Sequence, residues 1–265
     1  MNYVPDHVPL HQSVLKEFHY LKTHDNSRIF EEARVQFLES INQFVQHGVD
    51  TDDPISHIQN LSSTYQSFLA LQEDYNTFSD RFNAMKHEYK TQCDALPEVN
   101  LETWDSYKDG EITAPSFSAL YEGNMLQKDD PQVSLPLYSN DDISKVLKAL
   151  PYIWQDPKCV IPDDNMDEDD LQIAGGSIEL TCPITCKPYE KPMISKKCGH
   201  VFDLSGIQEY LKDHRGPKKC PQGACGQEVE MRDFVQDPIM EVRCKIASVK
   251  KNKKDRDQEA GLITL

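Results

Sequence analysis

Lys197-Cys198-Gly199-His200-Val201-Phe202-Asp203, and after it Cys220-Pro221-Gln222-Gly223-Ala224-Cys225, is the stretch whose reading decides the fold of the C-terminal half. One residue separates Cys198 from His200, nineteen separate His200 from Cys220, and four separate Cys220 from Cys225. Three thiolates and one imidazole complete a tetrahedral set for structural zinc and leave no position open for water. The quartet Cys198, His200, Cys220 and Cys225 is therefore expected to hold Zn2+ and to do no hydrolytic chemistry. Pro221, Gly223 and Gly226 supply the turn residues around the second pair. A full RING interleaves two such sites. Cys182 and Cys186 supply half of another, but three and six residues after His200 stand Asp203 and Gly206, without the thiols a second ion requires. One zinc per chain is the expectation, with Cys182, Thr185 and Asp203 holding the metal-free position through hydrogen bonds.

Working outward, short strands are expected around Ile178 to Leu180 and Met193 to Ser195. Between the ligands, Ser205 with Gln208 three residues later reads as a capping box that opens a short helix presenting Ile207, Tyr210 and Leu211. The result is a small zinc-stabilised ββα unit. Asp237-Pro238 then starts another helix, with Ile239, Val242, Ile246 and Val249 on one face.

The N-terminal half has a different pattern. Phe30, Ala33, Phe37, Ile41 and Phe44 recur at helical spacing, and Gly48 offers a stop. Asp53-Pro54 opens a second, longer helix, in which Leu61, Phe68, Tyr75, Phe82 and Tyr89 follow one another by seven, with Leu71, Phe78 and Met85 beside them. A sustained seven-residue row stays in register only by supercoiling with neighbouring helices. The shorter first helix covers part of it, and the rest, centred on Phe68, Tyr75 and Phe82, is expected to project and to dock on an external coiled coil. Pro97 ends this helix. After a connection through Gly123 to Pro136, Asn140 or Asp141 caps a helix carrying Ile143, Val146, Leu147 and Leu150, and Pro151 closes it. Asp163 to Asp170 is an acidic linker. The fold class is α+β: a long N-terminal helical hairpin followed by the zinc domain. The expected divisions are 1–122 (helical docking region), 123–170 (connection), 171–250 (zinc domain and packing helix) and 251–265 (tail).

Composition narrows the function. Most of the eight cysteines fall from Cys182 to Cys244 in a chain whose opening residues show no secretion signal, which favours metal ligation over disulfides. Nothing approaches the roughly 20 apolar residues that cross a bilayer, so the expectation is a soluble intracellular protein with no membrane contact. A formal charge of −16 argues against a general nucleic-acid binder and in favour of protein partners.

Cys182-Pro-Ile-Thr-Cys186, Lys197 to Asp203 and Cys220 to Cys225 together resemble the SP-RING of SUMO ligases, whose mark is the one-zinc pattern. With the helical half, Leu150-Pro-Tyr-Ile-Trp154 and Asp233-Phe-Val-Gln-Asp-Pro238, the whole chain is similar to the fungal non-SMC-element SUMO ligase family, subunits of an SMC complex. That resemblance implies a SUMO transferase in DNA repair and recombination in the nucleus, whose helices dock on an SMC coiled-coil arm and whose RING recruits the SUMO-conjugating enzyme. It also implies that Ile184 and Pro221 belong to the conjugating-enzyme contact. No catalytic residue is expected on this chain, since a closed zinc site can only orient partners. The competing readings are a RING-type ubiquitin ligase and a non-enzymatic zinc-stabilised chromatin adaptor. The adaptor would use Lys245, Lys250, Lys251, Lys253 and Lys254, although direct DNA binding is not expected. Two apolar segments with acidic neighbours, Leu171 with Ile173 and Leu262 with Ile263 and Leu265, fit strand addition to SUMO itself, and the C-terminal one is favoured.

Overall fold

A computed structural model describes residues 4–125, 141–162, 176–212 and 216–263, with side chains described as far as Glu259. Its helices are α1 (Leu15–Tyr20), α2 (Ser27–His47), α3 (Pro54–Asp94), α4 (Trp104–Lys108), α5 (Phe117–Met125), α6 (Asp142–Gln155), α7 (Leu204–Leu211) and α8 (Pro238–Ile263). Its strands are β1 (Pro192–Ser195), β2 (Val201–Asp203), β3 (Lys218–Lys219), β4 (Glu228–Val229) and β5 (Phe234–Gln236). The chain is thus mostly helical, and among the described residues its few short strands lie in the cysteine-rich region. It divides into two compact units, residues 1–32 with 67–137 and residues 33–66 with 138–265. The expected division at residue 122 falls inside α5.

The first unit is held by rings. Phe30 lies against Phe68 and Tyr75, with centroids 5.9 and 5.6 Å apart, and Phe18, Phe82, Tyr89 and Phe117 form a cluster of tilted and edge-on pairs. Such pairs add about 0.5–1.5 kcal/mol each beyond the area they bury. Two of the three rings expected to meet a partner, Phe68 and Tyr75, are therefore half-buried under Phe30, and Phe82 is buried. Leu71 and Phe78, one row over, are exposed. The helix starts as expected, with the Asp53 carboxylate accepting from the Ser56 amide at 3.1 Å, and it ends before Pro97.

The second unit joins the base of α2 and α3 to α6, α8 and the cysteine-rich module. Ile41, Val45, Ile58, Tyr65, Ile143, Val146, Leu147, Leu150, Ile153 and Trp154 are buried in it. Phe44 tilts against Trp154 at 4.7 Å, and both rings approach Gly48 so closely that a Cβ there would lie 2.9 Å from each. Asp141 caps α6 as expected, accepting from the Ser144 amide at 2.9 Å. Pro151 does not close it, however. The helix runs on to Gln155 because Ile153 and Trp154 are buried, which offsets the lost hydrogen bond, and because the Lys250 ammonium caps the carbonyls of Trp154 and Gln155.

In the module itself a three-stranded antiparallel sheet has the order β2-β1-β5, and β3 pairs with β4. Residues 178–180 are not a strand. Ile178 donates to the Lys158 carbonyl, and the only pairing nearby among the described residues is the single bridge of Thr181 with Pro188. The core beneath the sheet is Cys182, Tyr189, Phe202, Ile207, Val229, Phe234 and Met240. Behind it α8 presents buried Val242 and Ile246, as its pattern predicts, and then continues through residues 251–263. The expected tail is therefore helical as far as Ile263. Lys251 and Asp255, like Lys253 and Asp257, stand four apart, a spacing that supports the helix.

Candidate metal centre

Cys198 and His200 sit in the turn between β1 and β2. Gly199 adopts φ +68°, a conformation that glycine takes without a Cβ penalty, and its amide donates to the Ser195 carbonyl at 2.8 Å. Cys220 leaves β3, and Cys225 closes a turn in which the left-handed residue is Ala224 rather than either neighbouring glycine. Lys197 secures the first turn from the side, donating to the Glu228 carbonyl and pairing with Asp233 at 2.8 Å. These two turns bring the four expected ligands together, with all ligand atoms within 4.8 Å of one another. The Cys198 and Cys220 sulfurs are 3.7 Å apart, and Cys220 Sγ is 3.6 Å from His200 Nδ1. A tetrahedral ion with bonds of about 2.3 Å to sulfur and about 2.0 Å to nitrogen requires separations of about 3.8 and about 3.5 Å, close to those found. The quartet fits one zinc, which His200 would hold through Nδ1, the ring nitrogen that faces Cys220.

Electrostatics point the same way. Burial would raise the Cys198 thiol, but hydrogen bonds from Ser195 and His200 outweigh it and bring it down to about 6. Burial pushes Cys220 up to about 12. Adjacent thiols in this enclosure cannot all ionise alone, and a divalent cation removes that conflict. No second group of this kind occurs among the described residues.

The metal-free position is held by Asp203. Its Oδ2 accepts the amides of Glu190 and Lys191 at 2.8 and 2.9 Å, and its Oδ1 accepts the amide and hydroxyl of Ser205 at 3.1 and 2.7 Å. The Asp203 amide donates to the buried Cys182 sulfur at 3.2 Å. Burial raises this carboxyl, but the bonds from Lys191, Ser205 and Glu190 outweigh it and hold its pKa below the ordinary value. Asp203 is also the N-cap of α7, so the expected capping box of Ser205 and Gln208 is replaced by a cap two residues earlier. Thr185 contributes packing more than bonding. Its methyl group lies 2.9 Å from where a Cβ on Gly206 would stand, and Ile184 Cβ lies 3.3 Å from the same point.

Ile184 and Pro221 are both half-buried, one packed beside Gly206 of α7 and one directly after a zinc ligand. Leu262 and Ile263 have helical backbone; Leu265, Leu171 and Ile173 lie outside the described residues. Residues the spacing does not reveal include Tyr210 and Lys218, which join α7 to β3, and Arg243. The buried Arg243 guanidinium donates to the carbonyls of Pro157 and Cys159 at 2.7 Å each. Its only signal is an arginine within an apolar face.

Fold and site together define a one-metal, RING-like zinc-finger protein joined to a long helical region. Residues 57–164 match the family model of the E3 SUMO-protein ligase MMS21 N-terminal domain, and residues 169–226 match that of the MIZ-type zinc finger in Nse subunits. The chain is 47% identical to E3 SUMO-protein ligase MMS21 of Saccharomyces cerevisiae, over 99% of this chain and 97% of that one. It is also 29% identical to E3 SUMO-protein ligase NSE2 of Bos taurus over 84% of this chain and 90% of the relative. The human NSE2 match is 30% identical but covers only 28% and 31% of the two chains. The chain belongs to the MMS21/NSE2 family of E3 SUMO-protein ligases. No helix among the described residues is long and apolar enough to cross a membrane.

Proposed function

We propose that the chain is a SUMO transferase that acts by holding a SUMO-charged conjugating enzyme, and that its two fixed loops are the grip. The observation that carries this reading is the pairing of a zinc quartet directly before Pro221 with the close packing of Ile184 and Thr185 over Gly206 of α7, whose N-cap Asp203 also clamps the amides of Glu190 and Lys191, inside a member of a SUMO-ligase family. When bound, the zinc supplies rigidity, because all four positions are taken by protein. The chemistry belongs to the partner: a substrate lysine amine attacks the thioester carbonyl, the carbon–sulfur bond breaks, an isopeptide bond forms, and the conjugating enzyme leaves with its thiolate. The ligase accelerates this step by restricting orientation, a source of up to about 7–11 kcal/mol in well-aligned systems.

The helical half is the anchor in this reading, docking on an SMC coiled coil and carrying the ligase into nuclear DNA repair. Because Phe82 is buried, the contact falls to half-buried Phe68 and Tyr75 together with exposed Leu71 and Phe78. The adaptor reading is disfavoured by the uses its lysines already have. Lys245 bonds Asn42 and Glu241, Lys250 caps α6, and Lys253 bonds the Val49 carbonyl and Asp50. The test is single-turnover discharge onto lysine, from SUMO-charged and ubiquitin-charged conjugating enzymes in parallel, with wild type and His200→Ala. Wild type should accelerate SUMO discharge alone, and His200→Ala should not. Acceleration that survives His200→Ala, or that appears only with ubiquitin, rejects the reading.

A further inference from the structure

The two loops of the proposed grip are fixed by different devices, and α7 lies between them. At its N-terminal end, Gly206 packs closely against Thr185 and Ile184, and the Asp203 amide donates to Cys182 Sγ, two residues before Ile184. All four zinc ligands lie in the β1–β2 turn and around the β3–β4 hairpin, so the ion does not fix the C-terminal end of α7. That end is tied by a two-way clasp. The Tyr210 hydroxyl donates to the Lys219 carbonyl at 2.9 Å, one residue before Cys220 and two before Pro221. In return the Lys218 ammonium donates to the Tyr210 carbonyl at 2.8 Å, capping the last turn of α7, and lies 3.9 Å from the centroid of the tyrosine ring.

Magnitudes separate the roles of clasp and metal. A net hydrogen bond or a cation–π contact shifts an equilibrium by about two- to thirtyfold, whereas structural zinc shifts the folding equilibrium by on the order of ten-million-fold. Breaking the clasp therefore leaves the module folded but lets the end of α7 shift against the zinc loop. A partner that must touch both loops at once then has to restore their alignment as it binds.

We propose that Tyr210 and Lys218 are positioning residues for the conjugating enzyme, setting the Ile184 and Pro221 loops in one register. The inference rests on the ligase reading. In steady-state discharge by full-length, zinc-loaded protein, titrated with SUMO-charged conjugating enzyme, Tyr210→Phe keeps the ring and removes only the hydroxyl bond. Its KM should rise about fivefold, the size of one net hydrogen bond, with kcat within about twofold and one zinc retained. Lys218→Met should behave likewise, Lys218→Arg should restore most of the loss, and the double variant should be no worse than about the larger single effect, since both residues serve one clasp. An unchanged KM, a fall in kcat alone, loss of zinc, or single effects that multiply in the double variant overturns the proposal. If wild type itself gives no stimulation, the ligase reading fails and the clasp's role falls with it, a result distinct from active wild type with indifferent variants.

Discussion

Asp203 shows how a single carboxylate can take over the work of an ion. It accepts four hydrogen bonds from three residues, pins the amides of Glu190 and Lys191, and caps α7. A charged acceptor suits this place because the donors converge from both sides, and a buried carboxylate is tolerated only when so satisfied. Asparagine keeps one acceptor oxygen and turns an amide donor toward the other pair of donors. Asp203→Asn is therefore expected to cost about 1–3 kcal/mol of unfolding stability at neutral pH, read by chemical denaturation with zinc present. The pH dependence has a definite sign. The folded carboxyl titrates below its ordinary value of 3.8, so its stabilisation is complete above about pH 5 and is lost as pH falls through the folded pKa. The gap between wild type and variant should be flat from neutral pH down to about 5 and narrow below it. A gap that is constant into acid, or that widens there, contradicts the assignment.

At the level of elements, α7 and the loop it faces are built to each other. Helix propensity alone favours alanine over Gly206 by about 1 kcal/mol. A Cβ at that position meets the Thr185 methyl at 2.9 Å, and a β-branched stub has little room to swing away. Gly206→Ala should thus retain one zinc and the helix while displacing Ile184 and weakening stimulation of SUMO discharge several-fold; undiminished stimulation would show that this loop does not serve the grip. Elements also show what the sequence made legible. The metal quartet was readable because zinc demands residue types at turn spacings, and α2, α3 and α8 were readable from periodicity. Capping by Asp203, passage of α6 through Pro151 and the length of α8 were not. Asp203 is held in place by distant amides at 190 and 191, and α6 passes Pro151 with Lys250 on the carbonyls of Trp154 and Gln155; both partners lie far off in the chain, whereas the length of α8 rests on local Lys–Asp spacing. The burial of Phe82 was not legible either, since Phe117 covers it from a segment that has no heptad signal.

Across the whole molecule, the two compact units place their cores on different supports. The first rests on aromatic packing around Phe18, Phe82, Tyr89 and Phe117, with no metal ligand among its described residues. The second contains the zinc quartet, but its α6 surface is held by burial of Leu147, Leu150 and Ile153 and by the Lys250 cap from α8. Zinc binding and module folding are one equilibrium on the order of 10 kcal/mol, so a chelator acts on the module before anything else. Thiolate and neutral imidazole are the forms that bind metal, and protonation competes with the ion, so less chelator should be needed as pH falls from about 8 to about 6. Hydrogen exchange followed by mass spectrometry on the full chain would localise the response. Amides from Cys182 to Gln236 should lose protection on metal removal, those of α3 near Phe82 and Tyr89 should keep theirs, and readdition of zinc should restore the module. Protection lost uniformly along the chain would mean that the metal supports both cores, and protection lost nowhere would mean that Asp203 and the apolar core hold the module without it.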